Sequence, residues 1–292
     1  MTIEDAINRA KLLGQARLRE HKMANEARRQ ISEPKMPAQP GHGSARSSSD
    51  PAVQFEPLRT VEISAAACEE NRVLISESQL RAFPQADAAY RLLRSKVQHR
   101  LKRNNWFSLA IASPNPDDGK TVTTLNLAIS IAREKQRPVY ILDLDMRNPC
   151  IYGFLGIQEV RPLPDYFLGL AKPEDVLVQT SFPNLIVAGA QSATENASEL
   201  LAGPRFEELL EHIRLRSPDA CVLVDLPPVN STDEALVVAP RVDATLIVVT
   251  EGKTERISLA QTLSTLNEFT IAGVVINRSS EGHAIGYEQY SA

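Results

Sequence analysis

Short apolar runs alternate with helix-like stretches through the middle and the end of the chain. Such runs are typical of strands that are buried on both faces of a sheet. They predict strands over residues 107–112, 184–188, 220–225, 244–250 and 271–277, with a further strand that begins at Val139. Helical spacing predicts helices over residues 198–216, 232–239 and 254–269, and another after Gly119. This alternation implies an α/β fold, with a mostly parallel central sheet covered by helices on both faces.

The residues before the first of these strands have a different pattern. Residues 1–32 show one narrow apolar face, which predicts an N-terminal helix. Residues 33–57 are rich in Pro, Ser, Gly and Gln, as flexible linkers are. We therefore expect the helix and the linker to be followed by an α/β domain over residues 58–278 and a mobile tail over residues 279–292.

The predicted N-terminal helix is basic as well as amphipathic. Within residues 1–29, seven Lys or Arg residues stand against four acids. A basic amphipathic helix can dock on a partner or on an anionic membrane, although a solvated helix has the same pattern. A second basic helix is predicted over residues 85–103, and two strand-like pieces without an assigned role precede it, at residues 61–63 and 73–75.

Composition narrows the classes of function. The chain has 292 residues and a formal net charge of −4, which gives no sign of a nucleic-acid-binding protein. Its three cysteines are far apart and fit neither a disulfide framework nor a zinc site, so we expect a reducing, cytoplasmic environment. No apolar run approaches about 18 residues and the N-terminus lacks an apolar signal core, so we expect neither a membrane span nor secretion.

Residues 107–124 carry the strongest chemical signal. An apolar run is followed by a turn with two prolines and two aspartates, and Gly119-Lys120-Thr121 then opens a helix. The free N–H groups and the positive dipole end of such a helix start suit a polyphosphate. Lys120 would reach the β- and γ-phosphates, and the Thr121 hydroxyl would bind magnesium. The strict P-loop pattern is not met, because its first glycine falls on Pro114, and a plain helix start is the alternative.

Acidic residues end two other predicted strands. Asp143 and Asp145 end the strand that begins at Val139, and Arg147 follows them. Asp225 ends a later strand, where the following prolines prevent the chain from continuing in the sheet. Open α/β sheets bind ligands at the carboxyl ends of their strands. Three such acids and a Gly-Lys-Thr helix start together predict a magnesium–nucleotide site.

The expected ligands of the metal follow from the residue types. Mg²⁺ would be held by Thr121 and, directly or through water, by Asp143 and Asp225. Two residues keep simpler alternatives. Asp145 could cap the element that follows it, and Arg147 could form a structural ion pair.

These motifs together resemble a known family. The order and spacing of Gly119-Lys120-Thr121, Asp143-x-Asp145-x-Arg147 and Asp225-x-Pro227-Pro228 are similar to those of the bacterial tyrosine kinases. These are P-loop proteins of capsule and exopolysaccharide synthesis, related to the MinD/ParA ATPases. The resemblance runs from about residue 87 to residue 277 and includes Asn196-x-Ser198-Glu199-Leu200-Leu201. It implies a P-loop NTPase fold that uses ATP and Mg²⁺.

The resemblance also implies roles for individual residues. Asp143 would be the base for an incoming tyrosine hydroxyl, in a catalytic set completed by Lys120, Asp145, Arg147 and Asp225. Asn277 would contact the purine, unless it is a plain turn residue. Asp233 is interpreted as a helix cap in preference to a site residue. The loop residues expected to bind nucleotide are Asn115, Pro116, Asp117, Asp118, Gly119, Lys120, Thr121 and Val122.

Partners are implied in the same way. The acceptors would be Tyr287 and Tyr290 in the tail, modified between subunits of a homo-oligomer. A separate membrane-bound activator, of the polysaccharide chain-length type, would recruit the chain to the inner face of the membrane.

Two positions depart from the family pattern. Ala88 replaces the glutamate of a subunit-contact motif whose Arg91 and Arg94 match, and Asp117 replaces a glycine of the phosphate loop. The first departure weakens the expectation of a family-type ring. The second predicts nucleotide binding of reduced affinity.

Three functions stay open at this point. The first is an ATP-dependent tyrosine autokinase that controls polysaccharide synthesis and export, with possible ATPase activity. The second is a MinD/ParA-type ATPase switch, which the presence of Asn115 at that group's signature lysine position disfavours. The third is a nucleotide-binding adaptor without transferase activity. The sequence identifies neither the partner nor the polymer.

Overall fold

The computed structural model describes residues 55–279, in which eight strands form one sheet. In chain order the strands are β1 (Arg59–Val61), β2 (Ser108–Ala112), β3 (Val139–Asp143), β4 (Val178–Thr180), β5 (Leu185–Ala188), β6 (Cys221–Asp225), β7 (Ala244–Thr250) and β8 (Ile271–Asn277). They lie in the sheet in the order β1-β4-β5-β3-β6-β2-β7-β8. All neighbouring pairs are parallel except β4 and β5. The mostly parallel sheet predicted from the sequence is confirmed.

Helices occupy most of the connections between these strands. They are α1 (Ala65–Glu70), α2 (Glu77–Ala82), α3 (Pro84–Asn104), α4 (Lys120–Ala132), α5 (Ile151–Leu155), α6 (Leu163–Phe167), α7 (Pro173–Val176), α8 (Ala197–Ala202), α9 (Arg205–Arg216), α10 (Glu234–Val238) and α11 (Arg256–Thr265). A short 3₁₀ helix, Ala239–Arg241, continues α10. None of the helices described here has the length and apolar character that a membrane crossing requires.

Buried side chains cover both faces of the sheet. In β3, Tyr140 and Leu142 join one apolar cluster, whereas Val139 and Ile141 join the other. Consecutive residues of a strand point to opposite faces, so a strand buried on both faces is apolar throughout. This explains why the central strands appear in the sequence as uninterrupted apolar runs.

Several predicted boundaries need correction. The strands predicted over residues 244–250 and 271–277 are confirmed, but the helix predicted over residues 198–216 is two helices, α8 and α9. The break falls at Gly203-Pro204, where proline lacks the N–H of a helix interior and disfavours a helical residue before it. The other two predicted helices are shorter than expected, as α10 and α11.

The strand predicted over residues 73–75 is wrong. The N–H of Leu74 donates to the side-chain oxygen of Asn126, and Arg133 donates to the carbonyls of Leu74 and Ile75. Because these backbone groups bond to side chains of or next to α4, they are unavailable to a sheet. The other strand-like piece, predicted over residues 61–63, is β1, which begins two residues earlier than predicted.

Other parts of the sequence analysis lie outside the described residues. These are the N-terminal helix over residues 1–32, nearly all of the linker, and the tail tyrosines Tyr287 and Tyr290. They stay predictions, as do the proposed domain boundaries.

Candidate active site

The predicted strand-end acids meet at one edge of the sheet. β3 and β6 are neighbours, and their register places Asp143 opposite Asp225. β2 lies on the other side of β6 and leads through the loop of residues 113–119 into α4. The carboxyl ends of three adjacent parallel strands thus surround the start of α4, which is where α/β sheets bind ligands.

Asp118 and Asn277 brace the loop before α4. The buried carboxylate of Asp118 accepts from the N–H of Asn115 at 2.9 Å and from the hydroxyl of Thr254 at 2.6 Å. Its carbonyl accepts from Asn277 Nδ2 at 3.1 Å. Asp118 therefore supports the loop from inside. Asn277, predicted to contact a purine, lies against the loop in this structure.

Gly119 is required by the geometry of the same loop. Its φ is +88°, a region that side chains disfavour, and a Cβ atom at this position would collide with the side-chain amide of Asn277. Glycine is the residue that meets both conditions. The loop therefore turns into α4 with its backbone open to a ligand.

Asp117 occupies a left-handed conformation, with φ of 60°. An aspartate there costs on the order of 1 kcal/mol relative to glycine. Its side chain is 84% exposed and lies 4.0 Å from Lys253. Because the carboxylate points outward, its charge is kept away from the loop interior.

Lys120 lies among the acids. Its Nζ is 2.7 Å from Asp145 Oδ2 and 3.7 Å from Asp225 Oδ2. The Thr121 hydroxyl donates to Asp225 at 2.6 Å, and Thr124, one helical turn further on, donates to the same carboxylate at 2.9 Å. Lysine, hydroxyls and carboxylates thus form one connected network at the start of α4.

The charges in this network shift one another's proton affinity. Burial opposes the charge of Lys120, but Asp225 and Asp145 outweigh burial and raise its pKa. Burial, and then the facing Asp225, raises the pKa of Asp143 to about 8. Burial also raises the pKa of Asp225. Without a cation both carboxyl groups therefore favour the protonated form, and a bound cation would favour the ionised form of each.

The oxygen atoms present fit Mg²⁺. The Thr121 hydroxyl and the Asp225 carboxylate lie side by side, and hard oxygen donors of this kind are the ligands that Mg²⁺ prefers. Asp143 is less free, because it accepts from the N–H groups of Asp145, Cys150 and Ile151 at 3.1–3.2 Å. A contact from Asp143 to the metal through water agrees better with these bonds than a direct one.

Arg147 and Asp233 have partners outside this network. Arg147 Nε lies 2.5 Å from Glu234 Oε1, so the structural ion pair considered from the sequence is present. Asp233 precedes α10, but its carboxylate accepts from the Ser198 hydroxyl at 2.6 Å and makes no capping bond. Sequence reasoning missed Glu234 and Thr124. The spacing of Thr124, three residues after Thr121 on one helix face, could have indicated it.

Known proteins resemble the chain over this region. No protein-family model matches it. Tyrosine-protein kinase CpsD of Streptococcus pneumoniae serotype 4 is 26% identical over 207 residues, which are 70% of this chain and 89% of CpsD. Tyrosine-protein kinase ptk of Acinetobacter johnsonii is 30% identical over 189 residues, which are 62% of this chain and 25% of ptk. The kinase domain of Escherichia coli tyrosine kinase ETK matches with a TM-score of 0.61 and 27% identity, covering 69% of this chain and 80% of that domain.

The chain is a homologue of the bacterial tyrosine kinases. The resemblance inferred from the three motifs is thereby confirmed, together with the P-loop fold.

The predicted subunit-contact residues of this tyrosine-kinase homologue have partners within the chain. Arg91 pairs with Asp87 at 2.7 Å, one helical turn earlier on α3. Arg94 pairs with Glu134 at 3.0 Å and donates to the carbonyl of Ser130 at 3.0 Å. Asp87 therefore reaches Arg91 although it stands one position before the expected glutamate.

The raised pKa of Asp143 predicts how stability depends on pH. Between its ordinary value of 3.8 and about 8, the folded protein keeps a proton that the unfolded chain releases. Raising the pH through this window therefore favours unfolding. We expect thermal unfolding of the nucleotide-free protein at about pH 5 and pH 8 to show this loss, and Asp143→Asn to reduce it. An unchanged pH dependence in the variant would contradict the assignment.

Proposed function

We propose that this protein is an ATP-dependent protein-tyrosine autokinase that regulates the synthesis and export of capsule or exopolysaccharide. The observation that carries the proposal is the network of Lys120, Thr121, Asp145 and Asp225 at the carboxyl edge of the sheet. The names of the relatives, all tyrosine-protein kinases, support the reaction class. The polysaccharide context rests on the motif resemblance.

Phosphoryl transfer needs charge neutralisation and positioning more than covalent help from the protein. Lys120 would exchange its contact with Asp145 for the β- and γ-phosphates, and the N–H groups at the start of α4 would hold the same phosphates. Thr121 and Asp225 would hold Mg²⁺, with Asp143 reaching it through water. The ion would supply positive charge against the phosphate oxygens.

Asp143 would take the proton of the acceptor. A tyrosine hydroxyl would give its proton to the Asp143 carboxylate, its oxygen would bond to the terminal phosphorus of ATP, and the bond to ADP would break. Without a cation the pKa of about 8 keeps Asp143 mostly protonated at neutral pH, so bound Mg²⁺ would have to lower that pKa before the carboxylate could accept the tyrosine proton. Asp145 and Arg147 would support this geometry.

The alternatives differ in their products. A MinD/ParA-type switch would release phosphate without forming phosphotyrosine, and an adaptor would bind nucleotide without consuming it. Asn115 stands where the signature lysine of the switch proteins is expected, which favours the kinase. The network at Lys120 is equally compatible with hydrolysis, so the product decides between them.

We expect Tyr287 and Tyr290 to be the phosphorylated residues. The chain has six tyrosines, and Tyr140, Tyr152 and Tyr166 are buried. Buried hydroxyls cannot enter another subunit's site without unfolding. The first tail tyrosine stands about ten residues after the end of β8 in the sequence, and an extended chain of that length would span roughly 35 Å. A phosphate adds nearly two negative charges, so a modified tail should leave a site rich in carboxylates.

Mass spectrometry of protein made together with its membrane partner tests the tail assignment. Phosphate should appear on one or both tail tyrosines and should disappear from those positions in Tyr287→Phe/Tyr290→Phe. Phosphate confined to Tyr90, Tyr140, Tyr152 or Tyr166, or found nowhere, would favour the switch or the adaptor.

We further propose that residues 1–32 associate with a membrane-bound partner or with the membrane surface. The motivation is the predicted basic amphipathic helix and the predicted linker that separates it from the α/β domain. Deleting these residues should abolish flotation with partner-containing membranes and leave ATP affinity within about threefold. A deletion that unfolds the α/β domain would place the helix in the core instead.

A further inference from the structure

Glu234 is a buried carboxylate with a single charged partner. Its side chain is 0% exposed, and Oε1 lies 2.5 Å from Nε of Arg147, whose side chain is 55% exposed. Oε2 has no hydrogen-bond partner within residues 55–279. Burying a carboxylate costs free energy that only a paired cation offsets. Arg147 is therefore the cation that offsets the burial of the Glu234 side chain.

Packing does not explain a carboxylate at this position. Ala235 and Val238 of the same short helix are fully buried and apolar. An apolar side chain at position 234 would fill such a place without burying charge, and apolar replacements of buried ion pairs are often neutral or stabilising. The contribution of Glu234 must therefore lie in what it does to Arg147.

The pair joins the two loops that border the candidate site. Arg147 lies two residues after Asp145, which holds Lys120 Nζ at 2.7 Å. Glu234 lies on the segment that leaves β6 after Asp225, the acid that faces Asp143 across the strand register. The contact between Arg147 and Glu234 thus fixes one loop against the other.

The contact with Glu234 also fixes the orientation of the Arg147 guanidinium. Glu234 binds Nε of Arg147, and Nη2 is 3.9 Å from Asp233 Oδ1. Nη1 has no hydrogen-bond or ion-pair partner in the part of the chain that the structure describes, although Glu199 also acts electrostatically on the guanidinium. Because the guanidinium is rigid and planar, a bond at Nε sets the direction of its other donors. One edge of Arg147 is fixed, and the other can donate to an anion.

We propose that Glu234 is a positioning residue that holds Arg147 so that its free donor faces the transferred phosphoryl group. The inference rests on the proposed function, because it assigns Arg147 an anion to hold. It adds a residue that the three motifs do not contain.

A double-mutant cycle tests the proposal. It uses the wild type, Glu234→Gln, Arg147→Ala and the double variant, with phosphotyrosine formation measured at varied ATP. Glutamine keeps an acceptor for Nε but loses the charge. In the wild-type background we expect Glu234→Gln to lower kcat about tenfold, with KM for ATP within about threefold. In the Arg147→Ala background the same change should alter kcat less than about twofold, because its target is gone.

A matched control separates positioning from general loss of an ion pair. Glu207 pairs with Nε of Arg241 at 3.0 Å, away from the strand-end acids. Glu207→Gln should leave kcat within about twofold of wild type. The Tm values of the four proteins give a second measurement. Arg147→Ala leaves the buried Glu234 carboxylate without its cation and should lower Tm, and adding Glu234→Gln should restore part of the loss.

Two results would overturn the positioning role. One is a kcat for Glu234→Gln within about twofold of wild type, and the other is an equal decrease in both backgrounds. If Glu234→Gln does not fold, Glu234→Asp replaces it, since it keeps the charge and shortens the reach; the same outcomes decide. If the wild type forms no phosphotyrosine, the proposed kinase function fails. The double-mutant cycle is then measured by phosphate release, and additive effects of the two substitutions would overturn the positioning role. If the wild type forms neither phosphotyrosine nor free phosphate, both the proposed function and the positioning role are contradicted.

Discussion

Replacing Lys120 with methionine should abolish ATP binding. The side chain lies between two carboxylates at the start of α4, where it supplies the cation closest to the expected phosphates. Without it the phosphates would meet Asp145 and Asp225 unshielded. We expect affinity for Mg·ATP to fall by at least about 100-fold, or about 2.7 kcal/mol. Titration calorimetry measures this directly.

The control for Lys120→Met is another lysine near the same loop. Lys253 is half-exposed and lies 4.0 Å from Asp117, on the outer side of the phosphate loop. Lys253→Met should change affinity by less than about threefold, because an exposed charge is screened by solvent. Thermal unfolding of both variants shows whether the folded state persists. Equal affinity of Lys120→Met and wild type would remove the nucleotide site from the account.

Replacing Asp143 with asparagine should lower phosphotyrosine formation by about two orders of magnitude or more. The change removes the proposed proton acceptor and a charge beside the metal ligands. ATP binding should persist in part, since Lys120, Thr121 and Asp225 remain. Because Asp143 also accepts three backbone N–H bonds, asparagine should reduce stability as well.

Asp243 separates these two effects. Its carboxylate accepts from the backbone N–H groups of Phe107 and Ser108 at 2.7 and 2.8 Å, at the opposite end of β2 from the candidate site. Asp243→Asn should therefore cost stability through the same kind of lost bonds and leave turnover within a few-fold of wild type. Turnover of Asp143→Asn within a few-fold of wild type would exclude Asp143 from the mechanism.

Local patterns were sufficient to predict the sheet and the edge where the acids meet. β7 is buried throughout and β8 is a half-exposed run at the edge of the sheet, but both are apolar in sequence, so the sequence marks their ends. The acids at the ends of β3 and β6 are recognisable because each directly follows such a run. β4 is different: it has three residues, Val-Gln-Thr, and pairs antiparallel with β5. A piece so short has no periodicity to detect.

Contacts between distant residues account for what was missed. The sequence alone suggests that Asp118 is a loop acid open to a ligand. In the structure its carboxylate is buried and accepts a hydrogen bond from the hydroxyl of Thr254, which follows β7. Glu234 appears to be an ordinary polar residue at a helix start, and only Arg147, 87 positions earlier, permits its burial. The break between α8 and α9 is different, because Gly203-Pro204 marks it in the sequence itself.

The most direct test of the account is the product formed from labelled ATP. The purified protein with Mg²⁺ and its membrane partner should transfer the terminal phosphate of ATP to tyrosine, and Asp143→Asn should transfer about 100-fold less. Asp243→Asn should transfer at a rate within a few-fold of wild type. Label found only as free phosphate, or ATP left unconsumed by the folded wild-type protein, would contradict the assignment of a tyrosine kinase.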